Sequence, residues 1–184
     1  MQRLIELIAR LILAIFKKPE TEPEPVEPEP LVLPHPENAP DYTATMDNVD
    51  INTIISTWLA EYDVPNAHRP YWLNDCNIIL SQKFTYPAAT IAQTKTVYVQ
   101  PEWCNPGVIA HEVCHIVWYE LTETERIGYE NALYDARQTD ELVKLAWETK
   151  TYMQTNIVEA HADCYRYLGQ YMPDSLKKYY PRLF

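Results

Sequence analysis

Glycine is nearly absent from this chain. Only three occur in 184 residues, at Gly107, Gly128 and Gly169. That scarcity excludes a glycine-rich loop wrapped around phosphates, and nothing matches G-x-x-x-x-G-K-[ST]. Positive charge is also in short supply. Fifteen Lys and Arg stand against 26 Asp and Glu, a formal net charge of −11. A chain with that balance is not built to gather nucleic acid through its phosphates. Cysteine is sparse: Cys76, Cys104, Cys114 and Cys164 form no C-x-x-C pair and no disulfide framework. They read as small buried hydrophobes in a reducing compartment, with one disulfide in an oxidising compartment or an accessory metal ligand as the alternatives.

What is present falls into three stretches. Residues 1–18, MQRLIELIARLILAIFKK, place Arg3, Glu6, Arg10 and Lys17 in one narrow sector at about 100° per residue. Apolar side chains cover the rest, so an amphipathic helix is expected. Its charge-free run, Leu11 to Phe16, is too short for an ordinary transmembrane span, and no small-residue cleavage site follows. The expected partners of this helix are a membrane surface or another helix. The expected location of the protein is therefore cytoplasmic, or membrane-associated through this segment. Residues 19–40, rich in Pro and Glu, read as a stiff extended spacer of about 68 Å, at about 3.1 Å per residue. His35, between two prolines, is expected to be solvated.

The third stretch, 41–184, reads as one domain. Asp50 caps an expected helix over 51–62. Pro65 and Pro70 interrupt the pattern that follows. Asn77 to Leu80 and Thr94 to Val99 read as strands. Asn105-Pro106-Gly107 starts a helix running to about Tyr119, with Asn105 as cap and Pro106 in the first turn. Further helix is expected over 123–149, broken near Gln138 to Asp140, and again over 151–171, ended by Pro173.

The helix after Asn105 carries His111-Glu112-Val113-Cys114-His115. Histidines four apart leave one helix face a turn apart, and two imidazole nitrogens fill two corners of a tetrahedral zinc site. Glu112, beside the first histidine, is placed to act as general base on a metal-activated water. A catalytic zinc needs one more protein ligand. A third histidine on an extended motif needs glycine at 118 and histidine at 121; Trp118 and Leu121 stand there instead. A carboxylate on the later helix is the other source. Glu159 and Asp163 share a face, so Glu159 can bind the metal while Asp163 accepts the second N–H of a ligand histidine. His161, Glu130, Asp135 and Glu148 remain as competing third ligands.

H-E-x-x-H followed by E-x-x-x-D on a later helix resembles the gluzincin metallopeptidases, the group that includes thermolysin. The small size and the order strand, motif helix, glutamate helix look like the minimal members, the minigluzincins. The resemblance covers about residues 75–171. It implies Zn2+ held by His111, His115 and Glu159, with Glu112 as catalytic base and Asp163 behind a ligand histidine. It further implies an α+β, zincin-like fold, with a short mixed β-sheet packed on the motif helix and the glutamate helix.

The expected activity is hydrolysis of peptide (amide) bonds in a peptide or protein substrate. Tyr152, Tyr165, Tyr167 and His161 are candidates for stabilising the oxyanion. The Thr94 to Val99 strand is either the edge that takes an extended substrate or an internal strand. Two other classes stay open: a tethered zincin-fold binding protein without useful turnover, and a cell-wall amidase using the same residues.

Overall fold

The computed structural model describes residues 30–184. The helix expected over 1–18 and the linker up to residue 29 lie outside the described residues. No helix among the described residues is long and apolar enough to cross a membrane.

Caps and prolines set the element boundaries. The Asp50 carboxylate accepts the Asn52 and Thr53 amides and opens helix α1, Ile51–Glu61. Pro70 then falls in the first turn of a short helix, α2, Arg69–Asn74, where its missing N–H costs nothing. Pro70 thus starts a helix as well as interrupting the pattern before it. Strands β1 (Asn77–Leu80), β2 (Ala88–Ile91) and β3 (Thr96–Val99) follow. Helix α3, Pro106–Glu120, starts at Asn105, whose side chain accepts the Val108 amide. Thr122 and Glu125 form a reciprocal capping box on α4, Glu123–Thr139. Asp140 ends that helix and caps α5, Glu141–Thr149. Asn156 caps α6, Ile157–Leu168, and a one-turn helix α7, Asp174–Lys177, lies near the end.

The architecture is α+β with a small mixed sheet. Strand order is β1-β3-β2, with β1 parallel and β2 antiparallel to β3. Thr96–Val99 is therefore the central strand, not a substrate-binding edge. It also starts later than Thr94, because Ala92–Thr94 forms a 3-10 turn that Lys95, at φ 50, swings into the strand. Val97 and Val99 are buried in the core. Helix α3 is buried along most of its length, and α6 is its principal partner. The two helices that the motif residues occupy thus pack on each other.

The expected linker boundary at residue 40 moves back. Leu33 packs on the core. The His35 ring stacks on Tyr62 at 4.2 Å, and its amide donates to the Tyr167 carbonyl at 3.2 Å. His35 is thus half-buried, not solvated. The Asn38 amide donates to Asn105 Oδ1 at 3.1 Å. Two glycines make room for this strap. A Cβ on Gly169 would lie 2.7 Å from His35 Nε2, and one on Gly107 would lie 2.9 Å from Asn38 Nδ2. Gly169 also has φ +48, which L side chains rarely adopt.

His161 is fully buried. Its ring stacks on Tyr180 at 4.1 Å, meets Tyr129 edge to face and lies tilted against Trp118. Its Nε2–H donates to the Tyr179 carbonyl, while Nδ1 has no hydrogen-bond partner. Burial drives its pKa down from 6.5 to about 3, so it folds neutral. The folded pKa lies below the unfolded one, so the unfolded chain takes the proton first as pH falls. The stabilisation is complete above about pH 6.5 and is lost on the way down to about 3, at about 1.4 kcal/mol per pH unit. Urea midpoints across that range are expected to fall more steeply for wild type than for His161→Gln. Equal slopes would refute the assignment.

Candidate metal centre

Helix periodicity places His111, Glu112 and His115 on the buried side of α3, beside the cleft. Their donor atoms all lie within 4.8 Å of one another. The two imidazole rings meet edge to face at 4.9 Å. The Asn156 cap puts Glu159 in the first turn of α6, where a carboxylate is favourable against the helix dipole. A helix from 151 would contain Asn156; its side chain instead accepts the Val158 and Glu159 amides and starts α6 there.

Packing of α6 on α3 brings Glu159 and Asp163 to the histidines. Glu159 Oε2 lies 3.2 Å from His111 Nε2 and 3.8 Å from His115 Nε2. Asp163, 1% exposed, accepts from His111 Nδ1 at 2.6 Å. That bond fixes the His111 proton on Nδ1 and turns the Nε2 lone pair toward Glu159. Glu159 Oε2 itself is buried with no aligned hydrogen-bond donor. A lone pair facing an anionic oxygen at 3.2 Å calls for a cation between them, either a proton or a metal ion. Burial alone would lower the His111 pKa, but the Asp163 and Glu159 carboxylates outweigh it and hold it at about 9. His115 moves the other way, lowered by burial and by neighbouring His111. For Glu159, burial is outweighed by the two imidazoles, which hold its pKa below the ordinary value.

Two carboxylates thus adjoin the histidines, and their surroundings separate them. Glu112 Oε2 accepts from Thr90 Oγ1 at 2.6 Å. Glu159 Oε2 has no aligned donor and lies 3.2 Å from His111 Nε2 and 3.8 Å from His115 Nε2. The group whose donor atoms lie within 4.8 Å of one another is His111, Glu112 and His115, and Glu159 approaches the two histidines from α6.

The cleft over these residues is lined in part by Ala88, Thr90, Trp103, Tyr119, Tyr152 and Arg166. Compared with family models, curated proteins and solved structures, the chain matches none. The remaining sequence candidates divide cleanly. Tyr152 lines the cleft, its ring 6.1 Å from that of His111. Tyr165, Tyr167 and His161 are buried away from it, so His161 is not at the pocket rim. Glu130 lines a different surface pocket, and neither Asp135 nor Glu148 reaches the histidines. Thr90 escaped the sequence reading. Its strand, Ala88–Ile91, carries too weak a β pattern to stand out.

Proposed function

We propose that this protein is a zinc-dependent hydrolase of peptide bonds with a gluzincin-like, zincin-type fold. The observation that carries the reading is the buried Glu159 Oε2, without an aligned hydrogen-bond donor, set beside two imidazole nitrogens. Ligand atoms on a tetrahedral zinc with bonds of about 2.0–2.1 Å stand about 3.3 Å apart. The 3.2 Å separation matches that edge, and the 3.8 Å separation is wider than it. The donor set, two histidines and a glutamate, leaves the fourth position open to water, as a catalytic site requires.

Zinc held there supplies a water acidified toward neutrality and a Lewis acid for the scissile carbonyl. Glu112 takes the proton of the attacking water and returns it to the leaving amine nitrogen. Asp163 keeps His111 in the tautomer whose Nε2 can bind metal. The outer edge of β2 adjoins the cleft and takes an extended peptide by strand addition.

Tyr152 donates its hydroxyl to the developing oxyanion. Partial burial, then the Glu159 carboxylate, pushes its pKa up, so it keeps that proton at neutral pH. Tyr152→Phe is expected to lower kcat about 100-fold with KM and zinc content nearly unchanged. Unchanged kcat would remove Tyr152 from the mechanism.

The reading is tested on the full chain by metal analysis with parallel peptide-library and peptidoglycan assays. Stoichiometric zinc and cleavage of peptides support it. Peptidoglycan cleavage alone would replace the substrate class, and no zinc in the wild type would overturn the reading.

A further inference from the structure

Glu112 is held by a side chain from a different element. Thr90 Oγ1 lies 2.6 Å from Glu112 Oε2 and 3.0 Å from the Glu112 carbonyl oxygen. The hydroxyl has one proton to give, and the short contact to the anionic oxygen is the stronger bond. Among the described residues, Thr90 is the one side chain hydrogen-bonded to that carboxylate. A glutamate has three side-chain torsions, so a base that must meet a water in one place needs an anchor.

Thr90 is suited to that task. It sits in β2, paired in register with Val97 of the central strand β3. Its backbone is fixed by the sheet, and its β-branched side chain is stiff about χ1. The same hydroxyl touches both the backbone and the carboxylate of Glu112, so it ties the strand to the helix turn as well as to the reacting group. One carboxylate oxygen is engaged, and Oε1 has no side-chain partner among the described residues.

We infer that Thr90 is a positioning residue that locks the Glu112 carboxylate for proton transfer, leaving Oε1 to meet the water. This inference rests on the hydrolase reading above. Thr90→Val removes the hydroxyl at nearly constant shape, and Thr90→Ser keeps it. In the zinc-loaded full chain, Thr90→Val is expected to lower kcat about 10–100-fold with KM within about twofold. Thr90→Ser is expected to recover most of the loss. In a Glu112→Gln background the Val substitution is expected to cost no further activity. A second readout needs neither metal nor substrate. In the metal-free chain, the urea midpoint is expected to drop more on Thr90→Val in wild type than in Glu112→Ala, where only the contact to the backbone carbonyl is left to lose. Wild-type kcat in Thr90→Val, or an equal proportional loss in the Glu112→Gln background, overturns the inference while the hydrolase reading stands. Midpoint coupling without zinc or hydrolysis in the wild type overturns the hydrolase reading, and the positioning role with it.

Discussion

Glu112→Gln is expected to keep zinc and to lose peptide hydrolysis by about 10²–10⁴-fold. The amide matches the carboxylate in shape and can still accept the Thr90 hydroxyl, so the fold and the cleft survive. It cannot take a proton from water at any working pH. Zinc is retained because Glu112 is engaged by Thr90 at 2.6 Å and is not the carboxylate between the imidazoles. Metal analysis beside a turnover assay reads both halves. If zinc leaves together with activity, Glu112 is a ligand, and the roles of the two glutamates are reversed.

The second large effect is expected at Glu159. Glu159→Gln takes the charge from between His111 and His115 and replaces an anionic donor by a weak neutral one. Removing a hydrogen-bonding partner behind a ligand, as in Asp163→Asn, costs about 10–100-fold in metal affinity. Loss of the ligand itself is expected to cost more than that, measured by competition with a chromophoric chelator. The metal-free protein gives an independent check. His111 is held at about 9 by Asp163 and Glu159 together against the effect of burial. Without Glu159 its pKa is expected to move down, visible in an NMR titration of the imidazole. Unchanged zinc affinity in Glu159→Gln would exclude Glu159 from the centre.

Local chemistry was legible in the sequence; long-range pairing was not. His111, Glu112 and His115 stand out because helix spacing alone puts them on one face, and Asn105-Pro106 marks where that helix begins. Asp140 announces the break between α4 and α5 because a carboxylate there caps the next helix. Ala88–Ile91 is the opposite case. Alanine has little strand preference, so β2 exists through its partner β3, and Thr90 was hidden with it. Asn156 shows a subtler failure. Its position relative to Glu159 and Asp163 suits a shared helix face, yet the same side chain is better used as a cap, and capping decided where α6 starts. His35 looked solvated because its neighbours in sequence are prolines. Its actual neighbours, Tyr62 and Gly169, come from distant parts of the chain.

The strap that carries His35 gives the domain a mechanical character. Tension entering at Leu31 is borne first by the Leu33 contact and the stacked His35 ring. It then reaches Asn38, whose amide is bonded to Asn105 Oδ1. That oxygen is also the acceptor for the Val108 amide in the first turn of α3. Displacing the incoming chain would therefore pull on the cap of the helix that holds His111.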